Sequence, residues 1–523
     1  MRALLRTIDG FGTDRRGNIA VIFALALLPV LSAIGCAVDY SMATRTKAKL
    51  QSAADAASVA AIAQKSPGYV AAAAMTGDGA ITVAVDDAYK VLDGNMNQVT
   101  GYANLSRTAT ATKTGIKLTS RVDFSADVPV TFLKLLGYQN VTVSGSASST
   151  ASLPPYLDFY LMLDVSESMG LPSTNAEQTR LAAINPDMFS QYPGGCTLAC
   201  HFTIAYSCGD SSQKYPTNNA CLGYWISRVS PTAYANLVNQ ASTFSVPKQK
   251  PGLPNSMLSG LPNSLLSGDP NSLASVSSCP TDGTSNCIQL RADAVGYALN
   301  QLFITANASA MVTNQFRIGL YPFIRYLYAY FPLTSSINGS PTNSSTINYA
   351  AANLATLLDT NMDSNLGSGG THIDTALTSV NGLISGGGTG AVGDGSTAST
   401  PQPYVFLVTD GAQDPQVKAI NGGSWSGSNR ATVIDPTTVC KPLKDRGIIV
   451  SVLYIPYEPI QNPNSSFAND EDDYANNNIA NIPASLQNCA SPGFFYTANA
   501  PADITAALNA MFNHAVVTAH ITN

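Results

Sequence analysis

Charge is what this sequence has least of. Asp, Glu, Lys and Arg make up 11% of 523 residues, with 27 basic and 33 acidic side chains and a formal net charge of −6. No Lys/Arg cluster occurs beyond the first segment, which argues against a nucleic-acid partner, because phosphate binding needs concentrated positive charge. Histidine is scarcer still. His201, His372, His514 and His520 stand at no triad or metal-ligand spacing. Ser166 and Ser168 lack the Gly-x-Ser-x-Gly elbow of a nucleophile, and the Gly-rich run GGGTGAVGDG (386–395) is not followed by the Lys-Ser/Thr of a phosphate loop. The chain therefore reads as a non-enzyme with no small-molecule substrate. Long apolar runs are also lacking, with one exception.

That exception is Ile19 to Val38, IAVIFALALLPVLSAIGCAV, which carries no charge. Twenty residues at 1.5 Å each make about 30 Å, one bilayer core. Arg2, Arg6, Arg15 and Arg16 precede it. The positive-inside rule then keeps residues 1–18 cytoplasmic and exports everything after Asp39. A cleaved signal peptide and a lipoprotein site at Ala33-Ile34-Gly35-Cys36 are the alternatives. The length of the run, and its continuation into the Ala-rich, Gly- and Pro-free stretch 39–65, favour an uncleaved helical anchor.

Eight cysteines (196, 200, 208, 221, 279, 287, 440, 489) follow the apolar run, and Cys36 lies inside it. An even set downstream of an export signal reads as disulfides. Free thiols or a metal cluster are the alternatives, but Cys196-x3-Cys200-His201 lacks a second pair.

The exported part divides by pattern. Residues 66–153 hold a helical stretch around Ala84 to Leu92, then runs alternating at period two, TATATKTGIKLTSRVDFSADVPV and VTVSGSASSTAS. A long helix followed by a small antiparallel sheet makes a pilin-like α+β unit or a simple spacer. Leu153-Pro154-Pro155 marks a boundary. The near-continuous apolar run YLDFYLMLD (156–164) then suits a strand buried on both faces. Residues 171–287 are rich in Ser, Asn, Pro and Gly, carry six of the cysteines and contain the repeat LPNSMLSG, LPNSLLSG, DPNSLAS. They read as an insertion of turns stapled by disulfides. From Ile288 helices and strands alternate, which predicts a parallel sheet with helices on both faces. The expected elements include strands FRIGLYPF, LYAYFPLT, PYVFLVTDG and IIVSVLYIPY, and helices TINYAAANLATLLDTN, THIDTALTSVNGLIS and PTTVCKPLKDRG.

Two stretches carry resemblances. RRGNIAVIFALALLPVLSAIGCAVDYSMATRTKAKLQSAADAASVAA resembles the N-terminal segment of TadG-like proteins of the Flp/Tad pilus-assembly system. It has the Arg16-Gly17-Asn18 lead-in, Pro29, Gly35, Val38-Asp39-Tyr40, Leu50-Gln51 and Ala53 to Ala57. Related pseudopilins carry a Glu five residues after their processing Gly; here that place, counted from Gly17, is Ile22, which argues against prepilin-type cleavage. The resemblance implies an inner-membrane, single-pass protein with pilus or envelope proteins as partners. In TadG-like proteins a cysteine pair also occurs near the end of the domain, which implies a Cys440–Cys489 bridge.

The second resemblance lies in three loops: Asp164-Val-Ser166-Glu-Ser168, Gly369-Gly370-Thr371 and Thr409-Asp410-Gly411. Loops at the carboxyl ends of strands converge at the switch point of a doubly wound sheet. Two carboxylates and three hydroxyls there make a hard oxygen set suited to Mg²⁺. In this order they resemble the metal-ion-dependent adhesion site of von Willebrand factor A (VWFA) domains. That resemblance implies a Rossmann-like α/β domain over 156–516, interrupted by 171–287. It implies Mg²⁺, or Ca²⁺ or Mn²⁺, with Ser166, Ser168 and Thr371 as direct ligands and Asp164 and Asp410 acting through water. An acidic group of a partner protein would take the free coordination position. Glu167 fills a position often held by Gly in that family.

Overall fold

A computed structural model describes residues 18–177, 281–283, 289–457 and 471–522, apart from 98, 338, 340–342, 360–362, 386, 421–423 and 429, and includes Thr179. Cysteines 196, 200, 208, 221, 279 and 287, His201 and the Pro-Asn repeats lie outside the described residues. The chain is mixed α/β and forms two compact units, Met1–Pro154 and Pro155–Asn523.

In the first unit the helix α1 (Asn18–Ile62) runs without interruption through Pro29. It is the one described helix long and apolar enough to cross a membrane. Its apolar start is exposed, whereas Leu50, Ala54, Ala57 and Ala61 are fully buried. That spacing of three to four residues is one helical face. Small side chains on this face let the helix lie close on a sheet, where the Ser58 and Ser149 hydroxyls meet at 2.8 Å. Then follow α2 (Pro67–Ala74), the two-residue strand β1 (Gly79–Ala80) and α3 (Thr82–Met96). Ser66 caps α2 by accepting the Tyr69 amide at 3.0 Å, with Pro67 at the first helical position. Strands β2 (Ala103–Thr114), β3 (Lys117–Pro129) and β4 (Asn140–Ser152) complete an antiparallel sheet ordered β1-β2-β3-β4. The buried residues of β3 alternate strictly, as period two requires.

A short loop joins β3 to β4. It contains one 3₁₀ turn, Leu133–Leu136, closed by Gly137 at φ 91°. The carboxylate of Asp39, from α1, accepts the amides of Thr131, Phe132 and Leu133 at 2.7–3.0 Å.

The second unit is built on a six-stranded sheet. Strands β5 (Leu157–Asp164), β6 (Phe316–Phe323), β8 (Gln402–Thr409), β11 (Ile449–Tyr454) and β12 (Phe495–Thr497) are parallel. With β7 (Phe331–Thr334) they are ordered β12-β11-β8-β5-β6-β7. Alternate side chains of β5 face opposite sides. Leu157, Phe159, Leu161 and Leu163 join one core with α4 (Arg291–Ser309) and α11 (Pro501–Thr522). Tyr160 and Met162 join a second core with α6 (Ile373–Leu383) and α10 (Ile482–Cys489). In the first core the Phe159 ring lies 5.2 Å from those of Phe406 and Phe512.

The outer strand β7 corrects the expectation of a wholly parallel sheet, for it pairs antiparallel with β6. The link 324–330 is too short for the crossover a parallel partner needs. Pro332 suits an edge strand, where a missing amide costs no ladder bond. Two expected helices are also shorter. The stretch after Thr346 is α5 (Ile347–Ala352) followed by a 3₁₀ turn, Leu354–Leu357. There the Asn353 side chain donates to the Tyr349 carbonyl at 2.9 Å and competes with the helix ladder. PTTVCKPLKDRG splits into α7 (Pro436–Val439) and α8 (Lys441–Asp445), because Pro442 has no amide to continue the first helix. A hairpin of β9 (Val417–Lys418) and β10 (Trp425–Ser426), and α9 (Glu471–Asn478), complete the unit.

Cys440 and Cys489 are joined by a disulfide, with both side chains fully buried and 49 residues apart in sequence. The segment 178–288 leaves and re-enters through a hydrogen-bonded neck. The Ser173 amide donates to the Gln289 carbonyl at 2.8 Å, and the Arg291 amide to the Leu171 carbonyl at 2.9 Å. The buried Glu177 carboxylate accepts the Gly283 and Gln289 amides from the returning chain.

Candidate functional site

The chain passes from β5 outward to β6 and β7, then returns to β8 on the other side of β5. Connections therefore diverge between β5 and β8, and the crevice at their carboxyl ends is where an open α/β sheet leaves room for a ligand. Asp164 ends β5, and Thr409 ends β8 with Asp410 directly after it.

Asp164 is 1% exposed. Its Oδ1 accepts the Ser166 amide at 3.0 Å and the Ser166 hydroxyl at 2.6 Å. Its Oδ2 accepts the Thr409 hydroxyl at 2.6 Å, which ties β5 to β8 at their tips. The Thr409 hydroxyl in turn accepts the Gly411 amide at 2.9 Å. The Ser166 and Ser168 hydroxyls lie 3.1 Å apart. Four of the five predicted residues are thus neighbours: Asp164, Ser166, Ser168 and Asp410. Asp410 is wholly buried; the Ser168 hydroxyl and the Ala412 amide lie near its carboxylate but outside good hydrogen-bond geometry.

Thr371 reaches the same rim through its backbone. Its amide and carbonyl pair with Asp414, each bond 2.9 Å, four residues beyond Asp410. The following His372 amide donates to the carbonyl of Ile324, just past the end of β6. The preceding glycines are needed for this approach. Gly369 and Gly370 have φ of 85° and 66°, and a Cβ on Gly370 would stand 2.3 Å from the Asp414 carbonyl oxygen. His372 precedes α6, with a ring nitrogen 2.8 Å from the Gln416 carbonyl. Its half-buried ring braces the loop. His514 is also structural, stacked on Phe494 at 4.2 Å and bonded to the Tyr496 hydroxyl.

Two residues of the site were not foreseen. Asp359 accepts the Ser368 hydroxyl at 3.0 Å and the Gly369 amide at 2.8 Å, while its own amide donates to the Val165 carbonyl. It holds the Gly-Gly-Thr loop to the Asp164 loop. Arg291 is the other. Its guanidinium stands 3.6 Å from Asp410 Oδ2, with its side chain only 7% exposed. One signal pointed to it, a basic residue opening a helix, where the dipole disfavours positive charge.

Burial and the neighbouring Asp410 charge push the Asp164 carboxyl up to about 7, although Ser166 and Thr409 donate to it. Burial likewise raises Asp410, and Arg291 opposes this. Two adjacent carboxylates without water need a cation or a proton. Among the described residues no group of three or more His, Cys, Asp or Glu side chains could hold a metal. The oxygen set here, two carboxylates with hydroxyls, nevertheless fits a hard cation that keeps some of its waters.

Residues 17–77 match the family model described as putative Flp pilus-assembly TadE/G-like. This supports a pilus-related assembly function for the chain and is consistent with a membrane-anchored protein. No curated protein matches the chain. Among solved structures, the chain is similar to the pilus adhesin SpaC of Lactobacillus rhamnosus GG in its open conformation, at 14% identity and a TM-score of 0.31. That match covers 80% of this chain and 34% of the adhesin. The PilB minor pilin of Streptococcus sanguinis matches at 9% identity and a TM-score of 0.27, over 79% and 78% of the two chains. The vWF domain of the type V pili tip protein Mfa5 of Porphyromonas gingivalis matches at 11% identity and a TM-score of 0.26, over 44% of this chain and 89% of that one. The chain thus spans about a third of the length of the adhesin it resembles.

Proposed function

We propose that this chain is an inner-membrane-anchored component of a Flp/Tad-type pilus system. In this reading residues 1–18 stay cytoplasmic, and the second unit is a VWFA-type domain that grips pilus or envelope proteins through a divalent cation. Ser166, Ser168 and Thr371 would ligate the ion, Asp164 and Asp410 would hold it through water, and a partner's carboxylate would complete its coordination. The observation that carries the reading is the buried Asp164–Asp410 carboxylate pair at the switch point, with the Ser166 and Ser168 hydroxyls beside it. Titration calorimetry of the detergent-solubilised full chain with Mg²⁺ tests it. Saturable binding that disappears in an Asp164→Ala, Ser166→Ala double variant with an unchanged circular dichroism spectrum supports the reading. No binding at millimolar Mg²⁺ and normal piliation by the variant would overturn it.

Arg291 favours a second reading, in which the domain is a scaffold and the arginine permanently supplies the positive charge beside Asp410. The two readings part on one measurement. A scaffold binds no Mg²⁺ as wild type, whatever Arg291→Gln does.

A further inference from the structure

The β3–β4 loop of the first unit is apolar where soluble loops are polar. Phe132, Leu136 and Tyr138 are 42%, 56% and 61% exposed, and Lys134 between them in sequence is exposed too. The loop sits on the membrane-spanning end of α1 and not on its later, packed end. Gly35 makes this possible: a Cβ there would lie 2.4 Å from Phe132 Cβ and Cγ. Gly35 precedes Asp39 by four residues, about 6 Å along a helix axis. Ile34 and Val38 beside it are 57% and 43% exposed, continuing the same apolar surface.

Most backbone amides of the loop are paired inside the unit. Asp39 takes the amides of Thr131, Phe132 and Leu133. The Val130 amide donates to Gln139, the Gly137 amide to Lys134 and the Tyr138 amide to Leu133. A segment that leaves water for the edge of a hydrocarbon layer must meet this condition, since each unpaired amide there is costly. Water-exposed loops have no such need. Aromatic rings gather at the level of the lipid headgroups, and a lysine beside them can extend its ammonium back toward water.

We infer that the Thr131–Tyr138 loop is a second membrane contact, lying in the outer interface of the bilayer that α1 crosses, with Phe132, Leu136 and Tyr138 immersed among the lipid headgroups and first acyl carbons. The occupant of this face is lipid because the face is continuous with the lipid-facing surface of α1. Asp39 then closes the loop's open amides and sets its depth against the helix. The inference rests on α1 being a membrane span.

Reconstituting the full chain carrying Tyr138→Trp, and its parent, into phosphatidylethanolamine/phosphatidylglycerol vesicles tests this. The vesicles contain lipid brominated either near the glycerol end or at mid-chain. The added tryptophan should emit blue of its water value and be quenched at least twofold more by the shallow bromines than by the deep ones, after subtraction of the parent signal. Water-like emission unquenched by either lipid, from protein that resists carbonate extraction, overturns the loop contact and leaves the anchor standing; it points to a protein partner on this face. Release of the parent itself by carbonate refutes the span, and the loop contact falls with it.

Discussion

Arg291 Nη1 lies 3.6 Å from Asp410 Oδ2, at the point where two buried carboxylates close the crevice between β5 and β8. A guanidinium is a permanent cation. In the proposed metal-binding reading an ion would meet a crevice whose negative charge Arg291 already partly balances, and the arginine would lower its affinity. The contact is longer than a hydrogen bond, which leaves Asp410 neutralised by proximity and not by a directed bond.

Removing that charge should expose the competition. Arg291→Gln is expected to bind Mg²⁺ at least about tenfold more tightly than wild type, equivalent to about 1.4 kcal/mol. In EDTA it should be less stable by about 3–5 kcal/mol, because a buried carboxylate loses its partner. Excess Mg²⁺ should restore much of the loss. Denaturant melts with and without the ion check both halves.

The carboxylate pair predicts a pH slope. Asp164 is raised from its ordinary value, near 4, to about 7 by burial and by Asp410. Between those values the folded chain holds the extra proton, so stability falls as pH rises through this window. In EDTA the melting temperature should decline from pH 4 to pH 7. An Asp164→Asn variant should lack this component, and Mg²⁺ should flatten it in wild type.

Gly370 is expected to tolerate no side chain. Its φ of 66° and the 2.3 Å approach to the Asp414 oxygen make Gly370→Ala strained in two ways. A loss of about 1–3 kcal/mol is expected, together with weaker Mg²⁺ binding, since Thr371 is carried by the displaced loop. Gly382→Ala, inside α6 where a Cβ meets nothing within 4 Å, is the control: it should leave Mg²⁺ binding unchanged and cost no stability, since alanine is the better helix former.

The Cys440–Cys489 bridge closes a loop of 49 residues. Its removal should cost up to about 4 kcal/mol in the chain-entropy model. A Cys440→Ser, Cys489→Ser variant should therefore melt well below wild type while keeping the same Mg²⁺ affinity, because the bridge belongs to the core around α10 and not to the carboxylate crevice. Equal melting curves would show the bridge to be dispensable.

Much of this architecture could be read from residue order. The runs that became β5, β8 and β11 are nearly continuously apolar because both faces are covered, and the Asp-x-Ser-x-Ser and Thr-Asp-Gly loops come at the ends of the first two. What escaped had physical causes. Arg291 stands more than a hundred residues from Ser168, beyond a segment whose repeats follow neither helix nor strand period, and only the sheet brings it to Asp410. Asp359 sat inside a Leu-rich stretch read as helix, and its role depends on the Asn353 side chain ending that helix early. The antiparallel β7 followed from the shortness of a link, which a strand pattern alone does not weigh.

The neck at Leu171–Arg291 also bears on how this gene can change. Because the chain exits and returns within hydrogen-bonding distance, whatever lies between is spliced onto the sheet at one doorway. The entropic toll of lengthening such an excursion grows only logarithmically, about 0.6 kcal/mol per doubling. The segment can be expanded, trimmed or exchanged at small cost while the doorway pairs persist, without renegotiating the domain beneath.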